Sequence, residues 1–295
     1  MAALIRSDAP PLEATISLPR PARAALVSWN ARAPRGRIDL AVTFADRTRS
    51  PWLPFACWSE DERRSLGGTA DELELAVDVA RAATPFALLH ARTDVALESL
   101  WLATPPERER AARALPSPGL DLDVPLRSQY CTERPGERGW CSPAALTMLL
   151  AFHGLPLEVP EVARAVYDGA YGGTGNWAFN AAFAGACGFA AATAYLRDLA
   201  QAARFIEAGL PLAVSLAWRA GELPGAPLPQ SAGHLVVLRG FAPGGRVTVN
   251  DPAQPGVRTS YPADAFERLW LGHGGVAYLV APRERANELI PLAGA

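Results

Sequence analysis

The chain has 295 residues, 49% of them hydrophobic and 20% charged, with a formal net charge of −2. That length predicts about two domains on a prior of roughly 150 residues each, and the composition is that of an ordinary globular protein. The near-neutral balance leaves no electrostatic footprint for a nucleic acid or an anionic membrane surface as partner.

The opening MAALIRSDAPPLEA lacks the apolar core of a signal peptide, and no stretch approaches the roughly 18 apolar residues of a membrane span. The expectation is therefore no membrane span and a cytoplasmic location. The four cysteines, Cys57, Cys131, Cys141 and Cys187, form no CxxC pair and no Cys/His cluster with zinc-ligand spacing, so no metal and no cofactor are expected.

Taken in order, residues 1–11 read as a loose polar arm. From 12 to 104 short apolar runs alternate with turn clusters: 14–19, 24–29, 37–44, 52–58, 72–79, 85–93 and 97–104. RIDLAVTF and ELELAVDV alternate as half-buried strands do, and strands at this spacing predict an antiparallel β-sandwich over 12–104. Trp29, Trp52, Trp58 and Trp101 fall here. Core packing is the simpler explanation for them, and stacking on the sugar rings of a polymer is the functional one. His90 reads as a satisfied histidine and Cys57 as core.

Residues 105–120, PPERERAARALPSPGL, have the proline-bounded, charged composition of a linker. Beyond it the pattern turns to mixed α/β. One helix is predicted within 139–154, with His153 in its last turn, and others over 158–170 and 198–209, with the glycine-rich GTGNWAFNAAFAGACG between the last two. Strands are predicted over 210–218, 234–241, 246–251 and 276–282. Helices first and strands last predict an α+β domain.

The chemistry centres on GWCSPAALTMLLAFHG, residues 139–154. Pro143 suits a first helical turn and Gly154 a C′ position. The residues between are almost all apolar, so the helix should run through a core with Cys141 at its exposed mouth. There the helix dipole favours thiolate. A buried structural cysteine is the commoner explanation for such a residue taken alone, so partners decide the matter.

His234 opens HLVVLRGF, Asp251 closes RVTVND, and APGG (242–245) lies between as a hairpin turn. A four-residue loop pairs Phe241 with Arg246 and brings Asp251 opposite Val236, one diagonal step from His234 and on its face. Asn250 then points to the other face. An odd loop or a bulge would exchange the two. An imidazole oriented by a carboxylate is what a thiol nucleophile needs. Gln129, in the loop before the cysteine, can donate its amide to an oxyanion beside the Cys141 N–H.

SQY (128–130), GWCSPAALTMLLAFHG, GTGNWAFNAAFAGACG, GHLVVLRGF and VTVNDPA, in this order and spacing, resemble cysteine-peptidase family 39 and its free-standing bacterial relatives. That family is named for peptidases that remove double-glycine leaders from bacteriocins. The resemblance runs from about Val124 to Pro282 and implies a papain-like fold. It implies Cys141 as nucleophile, His234 as general base, Asp251 as the residue orienting it and Gln129 in the oxyanion hole. Asn176 and Trp177 match the relatives' GNW segment and, with Trp140, are candidate substrate-binding residues. Unlike the transporter-fused members, this chain carries a β-rich first half.

The expected architecture is a β-sandwich (12–104), a linker (105–120) and a papain-like cysteine peptidase domain (121–285). The expected activity is hydrolysis of a peptide or protein substrate through an acyl-enzyme. Two alternatives stay open at this point. One is acyl transfer to an amine by the same triad. The other is an idle peptidase fold in a binding protein whose β domain engages a polymer or protein.

Overall fold

The computed structural model describes residues 2–5, 12–106, 119–131 and 139–294. It falls into two units, Met1–Pro105 with Ala165–Ala194, and Pro106–Arg164 with Tyr195–Ala295. The fold is mixed α and β with antiparallel sheets. Most of the proposed linker, 107–118, lies outside the described residues.

The first half is β1 (Ala2–Ile5), β2 (Leu12–Asn30), β3 (Gly36–Phe44), β4 (Leu53–Trp58), β5 (Arg63–Ser65), β6 (Gly68–Ala70), β7 (Leu73–Ala76), β8 (Val79–Thr93) and β9 (Ser99–Ala103). Hydrogen bonds join them into one antiparallel sheet along the path β1-β9-β2-β8-β3-β4-β5, with β7 joining β6 to β8. Three sequence expectations change. Residues 2–5 are not a loose arm but pair with β9. The runs 14–19 and 24–29 are one long strand, β2, whose register against β8 shifts twice between Ser17 and Ala24. ELELAVDV is not one strand: the chain reverses after Ala76, with Val77 at φ +56°, and β8 begins at Val79.

After α1 (Cys141–Phe152) and α2 (Val159–Val166), the chain rejoins the first unit with α3 (Trp177–Ala186) and β10 (Phe189–Tyr195). The GTGNW stretch is thus a helix start, not only a turn. Phe179 of α3 lies in the same apolar core as Trp29, Phe55 and Phe86, meeting Trp29 edge-on at 5.7 Å. Asn30 fastens this segment. Its Nδ2 donates to the carbonyls of Ala191 (2.8 Å), Trp29 (2.9 Å) and Ala181 (3.3 Å). Its Oδ1 accepts from Ala191 N (3.1 Å) and Ser99 Oγ (2.8 Å). Asn30→Ala would strand several buried groups at about 1–3 kcal/mol each. A loss of roughly 3 kcal/mol or more in urea unfolding is expected.

Asp78, buried, accepts the Trp177 N–H at the start of α3 at 2.9 Å. Burial pushes its carboxyl up to about 6, more than that hydrogen bond and its own backbone contact bring it down. The folded state then holds the proton more tightly than the unfolded chain, so stability present at low pH is lost as pH rises through about 6. Ionised Asp78 costs about 3 kcal/mol at neutral pH by the size of the shift. Asp78→Asn is expected to raise the melting temperature at pH 8 and to have little effect at pH 4. An equal change at both pH values would contradict the assignment.

The second unit adds α4 (Leu199–Glu207), β11 (Leu212–Trp218), β12 (Ser231–Ala242), β13 (Arg246–Asn250), β14 (Arg258–Pro262), α5 (Ala263–Gly272), β15 (Val276–Pro282) and α6 (Ala286–Gly294). Its strands pair antiparallel in the order β15-β11-β12-β13-β14. Helices also follow the strands, so the helices-then-strands order holds only in part. α1 packs on β12 and β11, and Ser142 through Leu150 are all buried. A helix without a polar face becomes the centre of its unit because no side of it can be left to water. Gly154, φ +93°, follows the C-cap His153 and turns the chain out. Among the described residues, no helix is long and apolar enough to cross a membrane.

Candidate active site

Cys141 is the first residue of α1 and is half-buried. Its thiol is hydrogen-bonded to the His234 imidazole and to the backbone N–H groups of Leu235 and Ser142. Burial alone would raise its pKa, but those bonds and the imidazolium charge outweigh burial, and the thiol is held below its ordinary value.

His234 lies in β12, with Nε2 donating to Asp251 Oδ1 at 2.7 Å. Burial would pull the imidazole down, but the bonds to Asp251 and Cys141 and their negative charges push it up to about 10. Asp251 is fully buried. Its Oδ1 also accepts from Ala253 N at 2.9 Å, and its Oδ2 accepts the Tyr261 hydroxyl at 2.6 Å. Burial would raise this carboxyl, yet His234, Tyr261 and the Ala253 N–H together hold it below the usual range. The lowered thiol, the raised imidazole and the lowered carboxyl all favour the charged chain of thiolate, imidazolium and carboxylate.

Asp251 reaches His234 by a route the sequence reading describes only in outcome. The turn is one residue shorter than expected: Ala242, not Phe241, pairs with Arg246. The pairing then slips between Gly240 and Leu238, leaving Arg239 as a bulge, so that Leu238 faces Val249 and Val237 faces Asn250. An odd turn and a bulge each invert the face, and together they restore it. The bulge has its own cause. The 119–122 segment docks there, with Phe241 N on Leu120 O (2.9 Å) and Leu122 N on Arg239 O (2.9 Å). Gly240 permits this, since a Cβ would meet Leu120 O at 2.1 Å. Asn250 points away, as its parity requires, and donates to the carbonyls of Val124 (3.1 Å) and Pro125 (3.3 Å).

Gln129 is buried, and its backbone N–H is held by Pro252 O at 3.0 Å, immediately after Asp251. Trp140 is half-buried and precedes Cys141 as the helix cap, its carbonyl accepting from Ala144 N at 3.0 Å. Asn176 and Trp177 belong to the first unit. Asn176 is occupied at both ends: its Oδ1 caps Phe179 N (3.2 Å) and its Nδ2 donates to Asp168 (2.9 Å). Cys57, Cys131 and Cys187 are not joined in disulfides. Both ring nitrogens of His90 are engaged by threonines, Thr15 and Thr43. Among the described residues, no group of three or more His, Cys, Asp and Glu could hold a metal ion.

Two neighbours were not foreseen. Tyr261, fully buried in β14, completes the carboxylate's hydrogen bonding. Burial and the Asp251 charge raise its phenol, so it stays a donor at any working pH. The only signal for it is the β13–β14 register, which sets Tyr261 opposite Val247. Trp218 meets the His234 ring edge-on at 5.6 Å and walls it from water. Its signal is the neighbouring pair Leu216–His234 across β11 and β12. Tyr261→Phe removes one donor from a buried carboxylate. A loss of about 1–2 kcal/mol is expected, with slower Cys141 alkylation at pH 6, read by mass spectrometry.

No match is found among curated proteins. Two crystal structures are similar at low identity. One, described as a C39-like peptidase from Bacillus anthracis, aligns at 17% identity over 55% of this chain and 96% of its own, with a TM-score of 0.40. The other is a double glycine motif protease from an AMS/PCAT transporter in complex with the leader peptide. It aligns at 20% identity over 55% of this chain and 94% of its own, with a TM-score of 0.37. The profile of the peptidase C39-like family matches residues 121–278, which contain Gln129, Cys141, His234, Asp251 and Tyr261. With that match over more than half its length, the chain belongs to the peptidase C39-like family.

Proposed function

We propose that this protein is a cysteine peptidase that hydrolyses peptide bonds through an acyl-enzyme on Cys141. The observation that carries the reading is the continuous chain from the Cys141 thiol through His234 to the buried Asp251 carboxylate. The thiolate attacks the peptide carbonyl carbon, and the oxyanion is met by the Cys141 N–H and the Gln129 amide. When the tetrahedral adduct collapses, His234 gives its proton to the departing amine. A water, deprotonated by the now neutral His234, then attacks the thioester, expels the Cys141 thiolate and restores the thiolate–imidazolium pair. Asp251, fixed by Tyr261 and Ala253, keeps the ring oriented and its positive charge stabilised throughout.

The test is digestion of a peptide library, with products read by mass spectrometry in wild type and Cys141→Ala, with and without an added amine. Cleavage lost in Cys141→Ala supports the reading. Amine-capped acyl products in place of free acids would move it to acyl transfer. Cleavage retained in Cys141→Ala would contradict it.

A further inference from the structure

Within the second unit, a cavity of about 790 Å³ opens between the ends of β11, β12 and α5. This size suits a small ligand or a few residues of a peptide. Trp218 lines it while also abutting the His234 ring. In the proposed reaction His234 hands its proton to the departing amine. The shared Trp218 wall is what ties this cavity to the amine-side half of the substrate.

The charge of its lining is uneven. Arg219 and Arg268 are set against one carboxylate, Glu222. Glu222 is already engaged: its Oε2 accepts the backbone N–H of Arg219 at 2.8 Å. Its pairing with the Arg268 guanidinium is loose, at 4.0 Å. Arg268 also donates from Nη2 to the Glu222 carbonyl at 3.4 Å. Both arginines are exposed, and these long contacts leave their charges able to turn toward a ligand. Ser231 and His273 add hydrogen-bonding groups to the same walls.

We propose that this cavity binds a carboxylate on the amine-side half of the substrate. The inference rests on the peptidase reading for its direction, but carboxylate binding can be measured without turnover. An acidic side chain and a free C-terminus offer the same chemistry to two guanidiniums, and the probes separate them.

The test is calorimetric titration of the intact protein with the N-acetylated dipeptides Gly-Asp-amide, Gly-Gly and Gly-Asn-amide, the first two anionic and the third neutral, beside the rate of Cys141 alkylation. At least one anionic dipeptide is expected to bind about tenfold or more tightly than the neutral one, a preference that weakens with salt. Preference for Gly-Asp-amide assigns the site to an acidic side chain, and preference for Gly-Gly to a chain terminus. The double variant Arg219→Gln/Arg268→Gln should abolish the preference, and Glu222→Gln should strengthen it. Equal affinity for all three probes, or a preference that survives the double variant, overturns the proposal. Slow Cys141 alkylation with an intact anion preference overturns the peptidase reading instead, leaving a carboxylate site without the cleavage that orients it.

Discussion

Replacing Asp251 by alanine is expected to destabilise the protein by about 3–5 kcal/mol, because it leaves a buried imidazolium without its carboxylate. The effect is large for three reasons. Asp251 is fully buried, it accepts from His234, Tyr261 and Ala253 at once, and all three donors would be left facing an empty site. Urea unfolding at pH 7 with an unchanged slope measures it directly.

The pH dependence gives a second reading of the same substitution. The lowered pKa of Asp251 means that its contribution is present above the unfolded value near 3.9 and is lost as pH falls through the folded one. The raised pKa of His234 means the opposite. Its contribution is full below about 6.5 and is lost as pH rises through about 10. Asp251→Ala should therefore flatten both limbs of the stability profile. A variant as stable as wild type across this range would show that the pair does not carry the charge assigned to it.

His234→Ala is expected to lower kcat/KM on any cleaved peptide by about six orders of magnitude, the scale seen when the histidine of a catalytic triad is removed. Two functions are lost together, the thiolate's counter-ion and the acid that protonates the amine. In the wild type, activity should rise as pH passes the depressed Cys141 value and fall only as pH nears about 10, where the imidazolium is lost. The acid limb is expected at lower pH than an unpaired thiol would give. A profile that rises only near pH 8.5, where an ordinary thiol ionises, would contradict the ion pair.

Much of this site was legible in the sequence because its signals are local. An apolar helix with proline in its first turn and glycine after its last fixes where Cys141 must sit. Strand alternation sets Asp251 and Asn250 on opposite faces. The face came out as expected, but only because the shorter turn at 243–245 and the bulge at Arg239 cancel. Neither could be read locally, since the bulge exists to accept the distant 119–122 segment. Tyr261 and Trp218 were missed for the same reason: each meets the His–Asp pair through strand register, and no short spacing in the sequence encodes it.

The first half shows where local pattern misleads. ELELAVDV alternates like one strand, yet the chain folds back at Val77. There the Asp78 carboxylate is needed at the start of α3, about a hundred residues further on. Likewise, nothing in WAFNAAFAGACG announces that Asn30 will hold Ala181 and Ala191. The membership of 165–194 in the first unit is a tertiary fact carried by buried polar residues such as Asn30 and Asp78 together with the Phe179 core contact.

The most direct test of the central claim is the rate of Cys141 alkylation by iodoacetamide at pH 6, mapped by mass spectrometry in wild type and His234→Ala. The exposed Cys131 serves as the internal reference. An ordinary thiol is only about 0.3% thiolate at that pH. The ion pair predicts labelling of Cys141 well ahead of Cys131, Cys57 and Cys187, slowed at least about tenfold in His234→Ala. Labelling of Cys141 no faster than of Cys131, and indifferent to His234, would contradict it.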